Sequence, residues 1–393
     1  MRKRFKKLSL FSIGVLIVLF FTSCGNQAVQ APAGTTQGGS EAETPENSGD
    51  PTQAPSAGSE WETIVEAAKK EGRLILSGPP GELWRTALIE DFQQQYPEIK
   101  VEYTGSNSRD FWPRLQQERQ IGEHLWDLRV GGPDPQVYSA VKDGTLAPVR
   151  PLLFLPDVTD EDKWLGGLDG LFADEGNEYL PGFHAYIQTP AHVNRDFLSE
   201  EEFSSAEQLI DPVAKGKIVL QDPRGGAGLG FLAVLLEAYG EDFVRQLLTT
   251  QEVVVTSDNR QQAEWIVRGR YPIAIGLLPD EMMKFEEQGL GTNVQFVENA
   301  PIGLSIGFGG IQYLSDAPNP NAAIVYINWL LSQEGQQFVA DVTKLNSRRI
   351  DVNPGNEAVV AVPEQLDQYI AHQEEHMLPV RAQAQALANE LIK

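Results

Sequence analysis

The chain has 393 residues, of which 41% are hydrophobic and 22% are charged, and its formal net charge at pH 7 is −24. This composition is typical of a globular protein and excludes a disordered chain and a multi-span membrane protein. The negative charge argues against a nucleic-acid partner, and a single cysteine excludes an internal disulfide framework.

The first residues have the layout of an export signal. A basic stretch over residues 2–7 precedes an apolar run, Leu8–Phe21, that is too short to span a bilayer. Cys24 follows at the expected cleavage point, as in a bacterial lipobox. We therefore expect residues 1–23 to be a lipoprotein signal peptide and Cys24 to be lipidated. An ordinary signal peptide with an incidental cysteine is the alternative.

The next segment has too few apolar residues to fold. Residues 25–60 contain no Lys or Arg, and Val29 is their one larger aliphatic residue. We expect residues 24–59 to be a disordered tether. A signal, an anchor and a tether together predict an extracytoplasmic protein held at the bacterial cell membrane.

The folded body starts with a helix. Ser59 and Glu62 have the spacing of a capping box, and this helix is predicted to end at Gly72. Apolar periodicity then predicts three strands and two intervening helices. The strands cover 73–77, 99–103 and 128–130, with helices over 84–92 and 111–121. Alternation of strand and helix predicts a mostly parallel sheet covered by helices.

The same alternation recurs after an irregular middle section. Further strands are predicted over 217–221, 253–256, 272–276 and 309–314, with helices over 228–239, over 261–269 and from Asn321. Two such sets predict an α/β fold with two lobes, a hinge and a ligand cleft between them. Lobe 1 would comprise 60–188 and 304–345, and lobe 2 would comprise 189–303. Residues 346–393 read as C-terminal helices that belong to neither lobe with certainty, and the hinge is expected near 186–194 and 300–309.

Loops that follow the strands are the candidate ligand site, because ligands of open α/β sheets lie beyond the carboxyl ends of strands. The loop Asp222–Gly228 follows a strand and opens a helix, which favours an anion. Arg224 could bind a carboxylate or phosphate with two hydrogen bonds. A tight turn that needs glycine for packing is the alternative for this loop.

Other strand ends complete the predicted site. Ser257 and Asp258 cap a helix or contact the ligand, and Tyr186 lines the cleft or packs in the hinge. The predicted ligand-binding residues are Ser77, Gly78, Ser106, Asn107, Gly132, Tyr186, Arg224, Gly225, Gly226, Ser257 and Asp258.

One enzyme motif occurs near the C-terminus. His372 and His376 fit the H-x-x-E-H pattern of one class of zinc hydrolases, which would place both imidazoles on one helical face. A polar, solvated helical face is the alternative and is preferred, because a third ligand is missing from the short remaining sequence. We therefore predict neither an enzyme, nor a bound metal, nor a cofactor.

Nine segments of the chain together carry a resemblance to a known family. They are Glu118-Arg119, Gly122, Asp127, Lys215–Ile218, Asp222–Arg224, Arg268–Gly276, Asn319–Ala323, Asn328–Gln336 and Ser347–Val352. As a set they resemble the family 1 extracellular solute-binding proteins, and specifically the ferric-iron-type substrate-binding proteins of ABC importers. The resemblance covers about residues 60–352.

The resemblance implies a type II periplasmic-binding-protein fold that closes on a small-molecule solute. It also implies delivery of this solute to an ABC permease in the membrane. We expect a monomer, and the negative charge predicts no nucleic-acid partner. Iron-binding members commonly carry adjacent tyrosines where this chain has Leu277–Met283, and phenolate suits ferric iron. We therefore expect a small polar or anionic organic solute. A ferric-iron-binding protein and a sensory receptor are the alternatives.

Overall fold

The structure, a computed structural model, describes residues 57–392. The predicted signal peptide, Cys24 and the predicted tether as far as residue 56 lie outside the described residues. The first helix begins at Ala57, so Ser59 lies inside it, where its carbonyl accepts a hydrogen bond from Thr63 Oγ1 at 2.8 Å. The predicted capping box at Ser59 is therefore wrong, because the residues before Ser59 are also helical.

The described part contains thirteen α-helices. They are α1 (Ala57–Glu71), α2 (Glu82–Gln95), α3 (Ser108–Gln120), α4 (Pro135–Lys142), α5 (Pro156–Thr159), α6 (Gly167–Gly170), α7 (Gly226–Tyr239), α8 (Glu241–Thr250), α9 (Asn259–Val267), α10 (Pro279–Glu286), α11 (Pro320–Leu331), α12 (Gln333–Thr343) and α13 (Leu378–Leu391). Short 3-10 helices cover Arg150–Leu152, Glu161–Lys163, Ala206–Ile210, Pro212–Ala214, Glu357–Val359, Pro363–Gln368 and Glu375–Met377. Among residues 57–392, no helix is long and apolar enough to cross a membrane.

Twelve strands accompany these helices in the described part. They are β1 (Arg73–Gly78), β2 (Lys100–Gly105), β3 (Leu128–Val130), β4 (Tyr186–Gln188), β5 (Ala191–Asn194), β6 (Ile218–Gln221), β7 (Val254–Thr256), β8 (Ile273–Ile275), β9 (Val294–Phe296), β10 (Ile302–Ser305), β11 (Ile311–Tyr313) and β12 (Tyr369–Ile370).

The first sheet has the strand order β11-β3-β1-β2. Strand β1 is parallel to both β2 and β3, and Ser77 is the register partner of Arg129. Strand β11 closes the edge antiparallel to β3. A core that includes Leu76, Phe92 and Tyr326 packs helices α2 and α11 against this sheet. The predicted alternation of parallel strands and covering helices is confirmed here.

The second sheet has the order β7-β6-β8-β5-β9. Strands β6, β7 and β8 are parallel, and β5 and β9 run antiparallel to their neighbours. Apolar side chains of β6 and α7, such as Leu220 and Leu235, share a buried core. The carboxyl ends of β6 and β7 carry the loops predicted to bind a ligand.

A third sheet has the order β12-β10-β4. Strands β4 and β10 are antiparallel, with Leu304 opposite Ile187, and they lie within the two segments predicted as the hinge. The last strand, β12, adds parallel to β10 and brings the C-terminal segment to these connections. The sequence does not predict this sheet, because its strands are short and distant along the chain.

Helix α13 packs against both parts of the fold. Its apolar face, with Ala384, Leu387 and Ala388, lies against α7 and α8 of the second sheet. At its start, Leu378 packs against a cluster that contains Phe111 and Tyr138 from α3 and α4. The C-terminal segment therefore contacts both α/β parts.

Candidate functional site

Two predicted site residues meet at the carboxyl edge of the first sheet. Ser77 is fully buried at the end of β1, and its Oγ lies 3.0 Å from Oγ of Ser106, which follows β2. These hydroxyls come together because β1 and β2 are parallel and in register, so both strands end at the same edge. The structure thus brings together this pair of the predicted residues.

Arg129 completes this edge, although sequence reasoning did not select it. The side chain is only 3% exposed. Its Nη1 donates to Ser77 Oγ at 3.1 Å and to the Ser106 carbonyl at 3.3 Å, and Nη2 donates to Ser108 Oγ at 3.1 Å. The guanidinium carbon also lies 4.6 Å from the ring centroid of Phe111. An arginine between Leu128 and Val130, in the middle of an apolar strand, is the signal that could have identified it.

Arg129 is a buried cation that forms no ion pair with the described residues, and its Nε has no hydrogen-bond partner among them. The charge of Asp134 acts on the guanidinium without a direct contact. Burial lowers the pKa of the Arg129 guanidinium to about 10, which keeps it charged at neutral pH. Because a buried charge is stabilised by a counter-charge, this edge of the sheet is suited to receive an anion.

Gly131, two residues after Arg129, leaves room for the guanidinium. A Cβ at Gly131 would lie 3.2 Å from Nη2 of Arg129, which is a tight contact. A cavity of about 260 Å³ has Ser106, Asn107 and Phe111 in its wall, and two of these, Ser106 and Phe111, contact Arg129. Arg129 thus lies behind the residues that line an open space.

Gly78, Asn107 and Gly132 lie at the same strand ends, where they make close packing contacts or a backbone hydrogen bond. A Cβ at Gly78 would lie 2.6 Å from the Tyr103 hydroxyl, and one at Gly132 would lie 2.3 Å from the Gly307 carbonyl oxygen. The carbonyl of Asn107 accepts from the Phe111 amide at 3.0 Å at the start of α3. The two glycines therefore have packing roles, and ligand contact by all three residues stays a prediction.

In the loop after β6, the arginine forms an ion pair with an aspartate of the same loop. Arg224 donates from Nε and Nη2 to the two carboxylate oxygens of Asp222, at 2.8 and 2.7 Å. This pair lowers the pKa of Asp222. The predicted bidentate contact thus occurs within the loop, and the proposed contact of Arg224 with a solute stays a prediction.

The glycines of this loop differ in their surroundings. A Cβ at Gly225 or Gly226 would meet nothing within 4 Å, whereas one at Gly228 would lie 2.4 Å from the Asp222 carbonyl oxygen. Gly226 also has a φ of +60°, which favours glycine. Gly228 therefore fits the packing alternative, and Gly225 and Gly226 leave space beside the start of α7.

The loop after β7 behaves as a helix cap. Asp258 Oδ1 accepts from the Gln261 amide at 2.9 Å at the start of α9, as the capping interpretation predicts. Ser257 is exposed beside it. Tyr186, in β4, is half-buried, and a Cβ at Gly307 would lie 2.6 Å from its hydroxyl oxygen. Ligand contact by Ser257, Asp258 and Tyr186 stays a prediction.

The H-x-x-E-H motif is not on a helix. His372 lies in a turn after β12 and is buried, whereas His376 is exposed in a 3-10 helix. Both the shared helical face and the solvated helical face are therefore wrong, because His372 lies in the turn that follows β12 and only Glu375–Met377 form a short 3-10 helix. Between the histidines, Gln373 Oε1 accepts from the amides of Ile306 and Gly307 at 2.8 and 2.9 Å.

A larger cavity lies elsewhere. It has a volume of about 460 Å³, its wall includes Asp174, Arg348 and Glu374, and it contains none of the predicted ligand-binding residues. In the part of the chain that the structure describes, no group of three or more His, Cys, Asp or Glu side chains is placed to hold a metal ion.

Two curated proteins are similar in sequence. An uncharacterised protein of Haemophilus influenzae is 28% identical over 283 residues, which is 69% of this chain and 76% of that protein. Iron uptake protein A1 of Synechocystis is 22% identical over 217 residues, 52% of this chain and 57% of that protein. No protein-family model matches the chain.

Solved structures of periplasmic binding proteins have the same fold. Iron-bound HitA from Pseudomonas aeruginosa is 16% identical, with a TM-score of 0.62 over 82% of this chain and 99% of that one. AfuA from Actinobacillus pleuropneumoniae, solved with fructose-6-phosphate, is 20% identical, with a TM-score of 0.56 over 81% and 97%. The predicted type II periplasmic-binding-protein fold is therefore confirmed, and so is the predicted resemblance to ferric-iron-type binding proteins at the level of the fold.

Proposed function

We propose that this chain is the substrate-binding component of an ABC importer and that it captures a small anionic organic solute by lobe closure. The fold supports the binding role, since proteins of this fold that appear among its structural neighbours are periplasmic binding proteins. A ligand that binds the closed form better shifts a pre-existing equilibrium between open and closed forms. The closed form then docks on a membrane permease.

The burial of Arg129 is the observation that supports an anionic solute. Its charge is buried at the strand ends where ligands of α/β folds bind, and no described carboxylate pairs with it. Ser77, Ser106 and Ser108 hold the guanidinium in one orientation. A fixed, desolvated arginine binds a carboxylate or phosphate group more strongly than a mobile surface arginine does.

Ferric iron is the second candidate ligand. It is favoured by the name of the Synechocystis relative and by the iron-bound HitA structure. Against it, the segment after β8, Leu277–Met283, contains no tyrosine, and methionine is a poor ligand for ferric iron. Arg129 favours an anion, as does the open space at Gly225 and Gly226 beside the start of α7.

A thermal-shift screen separates the two ligands. Purified protein would be melted with a panel of organic carboxylates and phosphate esters, with ferric citrate, and with ferric chloride. A ligand at one hundred times its Kd stabilises the native state by about 2.7 kcal/mol, which raises Tm by several degrees. We expect at least one organic anion to do so without iron. Stabilisation by ferric salts, with none by organic anions, would overturn the proposal.

We also propose that Cys24 anchors the mature protein to the membrane. The basic stretch, the short apolar run and the cysteine at the expected cleavage point support this. In cells that make wild-type protein, it should fractionate with membranes. A Cys24→Ser variant should appear in the soluble extracytoplasmic fraction, and an unchanged membrane fraction would contradict lipidation at Cys24.

A further inference from the structure

The larger cavity lies beside the third sheet. Its volume of about 460 Å³ falls within the range of about 300–1,000 Å³ that is usual for sites of small ligands. Leu304 of β10 and Tyr369 of β12 form part of its wall. None of its wall residues also lines the cavity of about 260 Å³ beside Ser106, so the two cavities are separate spaces.

Arg348 is a buried member of the wall of the larger cavity. It is 3% exposed, and its Nη2 donates to Glu374 Oε1 at 3.1 Å. The other carboxylate oxygen of Glu374 lies 3.8 Å from Nδ1 of the exposed His376. Nε and Nη1 of Arg348 are buried without a hydrogen-bond partner among the described residues. Because buried N–H groups in native proteins nearly always have an acceptor, these two donors point to an acceptor from outside the chain. A carboxylate is the acceptor that suits a guanidinium best.

Two carboxylates of the same wall are satisfied within the protein. Asp169 Oδ1 accepts from Nη1 of Arg150 at 2.6 Å. The carboxylate of Asp174 accepts from the backbone amides of residues 178–180 at 2.8–3.1 Å. Neither carboxylate therefore needs a ligand as its partner.

Glu175 and Glu237 complete the set of acidic residues in the wall. Both are exposed, and neither side chain forms an ion pair or a hydrogen bond with residues 57–392. Glu237 belongs to α7 and follows Val234 by three residues, so the two share one helical face. A Cβ at Gly303 of β10 would lie 3.1 Å from Cγ2 of Val234, which places this face against the third sheet. The wall thus contains one buried cation with unused donors and two carboxylates that lack a counter-charge from the described residues.

We propose that the larger cavity binds an amino acid with a cationic side chain, at a second site that is independent of the proposed function. Its α-carboxylate accepts from Arg348, and its two cationic groups lie against Glu175 and Glu237. Such a ligand carries one negative and two positive charges, which complements these three side chains. An amino acid with a neutral side chain would leave one of the two carboxylates unpaired. An organic cation suits the wall better than a metal ion, because no cluster of metal-ligating side chains occurs among the described residues.

Two matched series of ligands test which groups are recognised. Calorimetry would compare L-lysine with cadaverine and L-norleucine, and L-arginine with agmatine and L-citrulline. The second member of each series lacks the carboxylate, and the third lacks the cationic side chain. We expect L-lysine or L-arginine to bind, and both of its analogues to bind at least about tenfold more weakly, since each loses a charge-assisted hydrogen bond. Absence of binding by both amino acids, or an analogue that binds as tightly as its parent, would overturn the inference.

Variants at the exposed carboxylates test the site without disturbing the buried pair of Arg348 and Glu374. Glu175→Gln and Glu237→Gln should each weaken binding of the amino acid at least about tenfold and leave Tm unchanged in the absence of ligand. Two exposed residues outside the wall provide controls that should not change the affinity. They are Arg268→Met, which removes a partner of Glu264, and Glu287→Gln at the end of α10. Unchanged affinity in Glu175→Gln or in Glu237→Gln would contradict the proposal.

Competition distinguishes this site from the strand-end site. An organic anion that stabilises the protein in the thermal screen should bind beside Arg129, so the amino acid should still bind when that anion is saturating. Displacement of the amino acid by the anion would overturn the second site and leave the proposed function intact. Binding of the amino acid with no binding by any organic anion would count against the proposed function alone.

Discussion

Arg129 donates a hydrogen bond to the hydroxyl of its register partner Ser77, at 3.1 Å, across two adjacent parallel strands. Ser77 Oγ is also in hydrogen-bond contact with Ser106 Oγ, so one hydroxyl links three strand ends. The orientation of the guanidinium therefore depends on the serine at the end of β1.

Replacement of Ser77 by alanine tests this dependence. Ser77→Ala leaves a buried donor of Arg129 without its acceptor, so we expect the free energy of unfolding to fall by about 1–3 kcal/mol. Urea denaturation measures this change. The exposed Ser257 supplies a control, since Ser257→Ala should change the stability by less than about 0.5 kcal/mol. Equal effects of the two substitutions would contradict the role of Ser77.

Two glycines in the loop after β6 form a second matched pair. Gly228→Ala would place a Cβ 2.4 Å from the Asp222 carbonyl oxygen, so we expect a loss of about 1–3 kcal/mol. Gly225 has an extended backbone and open space around it, so Gly225→Ala should be nearly neutral for folding. Thermal unfolding of both variants measures the two changes in stability. A stability loss in Gly225→Ala as large as in Gly228→Ala would contradict the packing described here.

Gln373 fixes the C-terminal segment to the end of β10. Its Oε1 accepts from the amides of Ile306 and Gly307, so Gln373→Ala removes the acceptor of two backbone donors. We expect a loss of about 2–3 kcal/mol in the free energy of unfolding, measured by urea denaturation. Gln383→Ala removes an exposed bond to Glu241 and should cost less than about 0.5 kcal/mol. If both variants unfold alike, Gln373 does not hold this segment.

Three buried histidines predict how stability depends on pH. Burial lowers the pKa of His184 and His192 to about 4 and that of His372 to about 3. The unfolded chain takes up these protons near its ordinary pKa of about 6.5, whereas the native protein does so only at lower pH. The contribution of these histidines to the free energy of unfolding should therefore be fully present above about pH 6.5. It should decrease as the pH falls towards 4, by at most about 1.4 kcal/mol per pH unit for each histidine.

Urea denaturation at pH 7 and pH 5 measures this slope. A His192→Phe variant should show a shallower decrease between the two values, since one of the three buried groups is then absent. The exposed Ser257 gives the control variant Ser257→Ala, which removes no titratable group and should retain the wild-type slope. A slope that does not change when His192 is removed would contradict the assignment.

The fold was predictable where local pattern decides structure. Alternating apolar residues and turn glycines identify β1, β2 and β6, and the cap at Asp258 follows from residue type alone. The third sheet was not predictable, because β12 pairs with β10 across more than sixty residues of sequence. Its strands are too short to show an alternating pattern of apolar residues in the sequence.

The site was predictable only in part. Ser77 and Ser106 follow from the rule that strand ends meet at one edge of a parallel sheet. Arg129 lies inside an apolar strand, so its burial depends on tertiary packing. Arg224 matched an anion-binding pattern, but Asp222 two residues earlier takes its guanidinium.

Titration of an organic anion into wild-type protein and into the Arg129→Met variant tests the central claim most directly. The anion would be the one that gives the largest shift in the thermal screen, and circular dichroism would establish that the variant is folded. We predict saturable binding by the wild-type protein without iron, and at least a hundredfold weaker binding by Arg129→Met, with Arg268→Met unchanged. Equal affinity of wild type and Arg129→Met for that anion, with both proteins folded, would contradict the account.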